Sequence, residues 1–314
     1  MGRISRFLGL CLTAALLVSC GGGGGASAPA EGDAVTFSDA LGRTVTVSHP
    51  RRVAALIGSF ADIWCLAGGQ DTLVAAADDA WTSFSLDLDD SVANLGKIKQ
   101  PNLELLLGTQ PDLILASSNT AADVALQGVL EDSGLNVAYF KVTDFDDYLS
   151  MLDLCTQITG QRDRYRQYGL DLEAQIDAAR ARADGSAPRV LYIRSTGASC
   201  KVKNSQDSVL GEMLADLGCV NIADGDAALL EQLSMESILA QDPDYIFLVL
   251  QGSDPGPAQE TLDRTLRSDP AWQTLTAIQA GRCYVMDNQL FNLKPNARWG
   301  EAYEILADIL YPAP

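Results

Sequence analysis

Histidine is almost missing from this chain of 314 residues: His49 stands alone. A multi-histidine zinc centre is therefore excluded, and a Ser-His-Asp constellation would have to be built on that single imidazole. Seven cysteines are present, but no Cys-x-x-Cys occurs and their spacings fit no zinc or iron–sulfur pattern. The chain also lacks Gly-x-Gly-x-x-Gly, a P-loop and Gly-x-Ser-x-Gly, the short signatures of dinucleotide, nucleotide and serine-hydrolase sites. Basic residues are scarce: 22 Lys plus Arg face 41 Asp plus Glu, for a formal charge of −19. Phosphate backbones repel such a surface, so nucleic acid is not an expected partner. Adjacent acids at Asp78-Asp79 and Asp89-Asp90 read as solvated turns rather than as acid/base pairs. Most hydrolases and metalloenzymes drop out on these counts, and the expectation is a protein that is not an enzyme.

No apolar run reaches the ~20 residues of a membrane helix. The run Phe7–Val18 follows Arg3 and Arg6 and reads as the core of a secretory signal peptide over residues 1–19. It ends in Leu17-Val18-Ser19-Cys20, which is similar to a bacterial lipobox, with Cys20 as the lipidation site. Two acyl chains on one cysteine suffice for stable anchoring, where a single chain does not. The glycines 21–25 then open a flexible linker over residues 20–33. Loss of residues 1–19 removes two arginines and no acid, taking the charge from −19 to −21. Of the remaining cysteines, Cys65, Cys155 and Cys219 sit among apolar neighbours and read as buried inert thiols. Cys200 and Cys219 leave a disulfide open as an option in an exported protein.

What is present is 47% apolar residues and a regular alternation of elements. Short Val/Ile/Leu-rich runs, Val53–Ile57, Leu73–Ala76, Leu113–Ala116 and Val137–Phe140, are separated by helical stretches, and Thr44–Val47 reads as an edge strand. A second series follows at Val190–Ile193, Tyr245–Leu250 and Cys283–Met286. Continuous buried strands alternating with helices predict α/β halves with mainly parallel sheets. Between the series, Tyr165, Tyr168, Leu172, Ile176 and Ala179 recur at spacings of 3, 4, 4 and 3, which predicts one long amphipathic helix over Asp163–Ala183. The expected organisation is an N-terminal lobe over 34–160, an inter-lobe helix over 161–185 and a C-terminal lobe over 186–314. At a fixed offset of 132, Leu103-Glu104 before Gln110-Pro111-Asp112 and a strand is repeated as Met235-Glu236 before Asp242-Pro243-Asp244 and a strand. Two copies in register predict a pseudo-twofold molecule of two Rossmann-like lobes with a cleft between them.

Ligands of α/β sheets sit beyond the carboxyl ends of the strands. The residues just past each strand are therefore the candidates for the cleft: Ser59, Phe60, Trp81, Ser117 and Asn119 in the first half, Arg194, Gln251, Phe291 and Lys294 in the second. Lys201 and Lys203, in a segment read as a loop over Ser199–Asn204, add two cations. Arg194, Lys201 and Lys203 could neutralise an anionic ligand, and Trp81 could stack on a flat one. Trp64 reads as core, and Trp299 as either core or cleft. His49, in a turn before Pro50, is expected far from the cleft, and no metal ligand set is found.

At these positions the chain resembles the solute-binding components of ABC importers for iron-siderophores, haem and cobalamin. The resemblance is carried by Asp39-Ala40-Leu41-Gly42-Arg43-Thr44-Val45-Thr46-Val47, Asn102-Leu103-Glu104, Pro111-Asp112 and Ile158-Thr159-Gly160. Asp269-Pro270-Ala271-Trp272, Gly281-Arg282-Cys283-Tyr284-Val285-Met286 and Leu310-Tyr311-Pro312 carry it to the end of the chain. It implies a lipid-anchored monomer outside the cytoplasmic membrane that captures a chelate and delivers it to a permease dimer with its ATPase subunits. It implies no cofactor, any metal arriving inside the ligand, be it a ferric siderophore, haem or a corrinoid. It further implies that Glu104 and Glu236, one on each lobe's rim, dock onto the permease.

Overall fold

Alternating side chains make the first element, and a computed structural model shows how it is fastened. The structure describes residues 34–206, 208–252 and 254–312, so the leader, Cys20 and the glycine linker lie outside the described residues. Strands β1 (Val35–Ser38) and β2 (Thr44–Val47) pair antiparallel, with Val35 opposite Val47. Val45 and Val47 face inward while Thr44 and Thr46 are exposed. Their turn is built by Asp39, whose Oδ1 accepts the amides of Leu41 and Arg43 at 3.0 and 2.9 Å. Gly42 supplies the positive φ of 76° that this turn requires. Arg43 stacks its guanidinium 4.8 Å from the Tyr139 ring centre and donates to the Val137 carbonyl at 2.8 Å. The Asp39–Arg43 motif therefore clamps a hairpin onto the neighbouring sheet.

That sheet consists of β3 (Val53–Ala55), β4 (Leu73–Ala76), β5 (Ala93–Asn94), β6 (Leu113–Ser117) and β7 (Val137–Phe140), all parallel in the order β5-β4-β3-β6-β7. Every residue of β6 is buried, as expected where helices cover both faces. A second sheet holds β8 (Arg189–Ser195), β9 (Cys200–Lys203), β10 (Val220–Asn221), β11 (Tyr245–Leu250) and β12 (Cys283–Met286). Its parallel order is β10-β8-β11-β12, with β9 antiparallel on β8. The segment expected as a basic loop is thus an edge strand, in which Cys200 and Val202 are buried and Lys201 is exposed. Its period of two decides the matter.

The predicted long helix is present from Arg162 to Arg180 and stops three residues short of the expected end. One turn, Arg166–Leu170, is π-helical around the buried Gly169. Leu172, Ile176 and Ala179 form its buried stripe, against which the helix Trp299–Leu310 packs. Trp299 is core: its ring lies 5.9 Å from Phe145 and 6.5 Å from Tyr148.

The repeat at offset 132 extends into the backbone. Gln110 and Asp242 both adopt positive φ, 48° and 37°. Asp112 accepts from the amides of Arg51 and Arg52, and Asp244 accepts from that of Arg189. Arg52 and Arg189 in turn donate to the carbonyls of Thr109 and Gln241, again 132 apart. Each half therefore ties the entry to β6 or β11 to the start of the strand paired with it, β3 or β8, by the same clamp.

Candidate functional site

Parallel strands end at one edge of each sheet, and loops leaving those edges meet in a cleft. A cavity of about 570 Å3 takes Thr82 and Ser83 from the first half and Gln251, Gly252, Asn288, Gln289 and Asn292 from the second, beside the apolar Leu250, Val285, Met286 and Leu293. Gln289 crosses it, donating from Nε2 to the Ser83 carbonyl at 2.6 Å. A narrower chamber of about 160 Å3 shares Asn292 and adds Asn119, Thr143, Tyr192, Arg194 and Lys294. Arg194 donates from Nη1 to Asn292 Oδ1 at 3.2 Å, at the junction of the two chambers. A third chamber of about 270 Å3 runs from Lys294 past Asp62 to Arg298.

Electrostatics at the floor follow from burial. Burial lowers the pKa of the half-buried Lys294 ammonium, while the carboxylates of Asp79 and Asp147 oppose the shift. Asp79 is no solvated turn: it is half-buried, and burial raises its pKa against the hydrogen bond it accepts from the Gly58 amide at 2.8 Å. Gly58 must be glycine, since a Cβ there would stand 2.4 Å from the Ala80 nitrogen. Asp123 lies fully buried behind β6 and accepts the Ser117 amide at 2.8 Å through Oδ2. Desolvation pushes its pKa up to about 7, the Ser117 hydrogen bond opposing and the Asp79 carboxylate adding.

Of the expected cleft residues, Asn119, Arg194, Gln251 and Lys294 line these chambers. Ser59 and Ser117 lie just beneath, both buried; the Ser59 hydroxyl has no hydrogen-bond partner, and Ser117 Oγ accepts the Asn119 amide. The aromatic candidates turn the other way. Phe60 and Phe291 are fully buried core, Phe60 edge-on to Phe140 at 6.0 Å. Trp81 is half-buried against the main hydrophobic core, to which both halves contribute, while its neighbours Thr82 and Ser83 line the cavity. Large apolar rings gain most from leaving water, so beside Trp81 and Phe291 the polar neighbours Thr82 and Asn292 take the cleft. Lys201 and Lys203 sit on β9, opposite Arg194 and Tyr192, and neither lines a chamber described above. Ser83, Asn288 and Gln289 were not among the sequence candidates; the helix start Asp287-Asn288 directly after β12 was the available signal. Glu104 and Glu236 are both exposed in the first turn of short helices capped by Asn102 and Ser234. His49 is exposed in the turn before β3, at the amino edge of its sheet. Cys65, Cys155, Cys200, Cys219 and Cys283 are all free thiols, so Cys200 and Cys219 are not bridged.

Two mainly parallel sheets facing one cleft agree with the match of residues 53–290 to the periplasmic binding protein family model. The chain belongs to the periplasmic binding protein family. Among members similar to it, the Fe(3+)-citrate-binding protein YfmC of Bacillus subtilis is 23% identical over 258 residues, covering 81% of this chain and 79% of that protein. A cobalamin-binding protein of Halobacterium salinarum is 26% identical over 282 residues, covering 86% and 74%. The solved periplasmic vitamin B12-binding protein of Vibrio cholerae has the same fold, with a TM-score of 0.67 at 21% identity over 83% of this chain and 97% of that one. These relatives are binding proteins.

Proposed function

We propose that the chain is the extracytoplasmic substrate-binding component of an ABC importer, which captures an iron-siderophore-type chelate and delivers it to a membrane permease. The observation that carries this reading is the cleft itself, lined from the carboxyl ends of both sheets by a mixture of polar and apolar side chains. Cobalamin or another corrinoid, or haem, is the second reading, favoured by the cobalamin-binding relative. The mechanism needs no covalent step: the ligand displaces water from the cleft, the two halves tighten on it, and the loaded monomer docks. A continuous helix between the halves favours small rearrangements over wide hinge motion. Exposed Glu104 and Glu236 serve as the docking pair, and a lipid on Cys20 holds the protein at the outer face of the cytoplasmic membrane.

Fluorescence titration tests the reading. Trp64, Trp272 and Trp299 are buried, which leaves the half-buried Trp81 as the reporter nearest the cavity. A ferric siderophore, haem or cobalamin should quench it with saturable one-to-one binding and be recovered unchanged. Trp81→Ala should reduce the signal, with the three buried tryptophans supplying the remainder. Failure of all three ligands to saturate, or their chemical conversion, would overturn the proposal.

A further inference from the structure

The cleft is partitioned by charge. Among the described residues that line the 570 Å3 chamber, none is charged: amides and hydroxyls such as those of Thr82, Gln251, Asn288 and Asn292 share it with the apolar side chains of Leu250, Val285, Met286 and Leu293. Asn288 Oδ1 is buried without a hydrogen-bond partner, an acceptor that the fold itself leaves unused. The cations stand outside this chamber: Arg194 and Lys294 line the chamber of about 160 Å3, and Lys294 also lines the third chamber of about 270 Å3, where Arg298 is paired with Glu301. A chelate bearing several carboxylates and filling the large chamber would bring some of them among uncharged and apolar side chains, where they would lose water and meet no cation. A ligand bearing amides or hydroxyls finds both donors and acceptors there.

We infer that the cargo is a chelate whose charge is balanced internally, net neutral or with one localised anionic group, and whose outer face carries amide-type groups. The single anionic group would sit by Arg194 and Lys294, and the uncharged face in the larger chamber. This inference rests on the chelate-binding reading above and narrows it. Ferric trihydroxamates and corrinoids share this chemistry; polycarboxylate chelates and the porphyrin dicarboxylates do not.

Parallel calorimetric titrations of the purified chain with a neutral ferric trihydroxamate, cyanocobalamin, ferric dicitrate and haem test it. One of the first two should bind at least about 100-fold more tightly than either of the others. If the trihydroxamate is the tighter ligand, its affinity should change little with salt, as binding without ion pairing does. Gln251 is exposed, so Gln251→Arg should leave folding intact; it should tighten ferric dicitrate binding by about 10-fold or more. Ferric dicitrate or haem binding to the wild-type protein as tightly as the better neutral chelate would overturn the inference and leave the chelate-binding reading standing. Binding of none of the four would overturn both.

Discussion

Asp123 shows how one side chain couples the cleft floor to pH. It is fully buried, one carboxylate oxygen accepts the Ser117 amide, and the other has no partner. Its pKa of about 7 in the folded protein lies well above the usual carboxylate value near 3.8. Between these values the folded state holds a proton that the unfolded state has released. The Asp123 contribution to stability therefore falls as pH rises from about 4 to about 7 and levels off above that. Each pKa unit is worth about 1.4 kcal/mol, so the loss across the window is on the order of a few kcal/mol. Asp123→Asn mimics the protonated form and keeps an acceptor for Ser117. Urea denaturation at a series of pH values should show the wild-type slope flattened in this variant. An unchanged slope would assign the pH dependence to other groups.

At the scale of elements, legibility in the sequence followed the length and purity of the pattern. Buried runs such as β6 and β11 and the periodic helix after Thr159 were readable because each repeats one hydrophobic rule over several residues. Strands β5 and β10, of two residues each, carry no such rule, and β1 was hidden beside the linker. In β9 two lysines masked a period of two. The π turn at Gly169 and the positive φ of Gln110 and Asp242 are set by tertiary packing, and no glycine marks the latter two. The site was legible to the level of segments: the strand-end rule found the right loops, but which neighbour faces the cavity depends on packing beneath it. The repeated helix starts raise a separate question, because an N-cap followed by Glu stabilises a helix whatever else it does. Exposure of both carboxylates, at equivalent places in the repeat, favours docking. In the Glu104→Gln/Glu236→Gln double variant, stability should drop by no more than about 1 kcal/mol. Chelate affinity should be unchanged, while permease-dependent uptake should fall severely. Uptake near the wild-type level would reduce the two glutamates to helix-start residues.

Across the whole molecule, the two halves are joined by more than the connecting helix. Asn296, in the segment after β12, is fully buried and donates from Nδ2 to the Ser59 carbonyl at 3.0 Å and to Asp62 Oδ2 at 2.8 Å. Both acceptors belong to the helix Gly58–Leu66 of the first half. Burial raises the Asp62 pKa, and the Asn296 hydrogen bond opposes that rise, so this contact supports the charged carboxylate. Asn296 also holds a φ of +50°, which asparagine tolerates better than other side chains bearing a Cβ. Asn296→Ala removes the cross-half bonds, strands the Asp62 oxygen and adds backbone strain; a loss of about 2–4 kcal/mol is expected. A double-mutant cycle with Asp62→Ala separates the contact from the strain, because strain persists in both arms carrying alanine at 296. If the pair helps to hold the halves together, the double variant should be more stable than the summed single losses imply, by about 1–3 kcal/mol. The same variants should bind chelate more weakly, since binding must then close a looser cleft. A coupling near zero with undiminished affinity would leave the packing of the connecting and terminal helices as what sets the cleft's width.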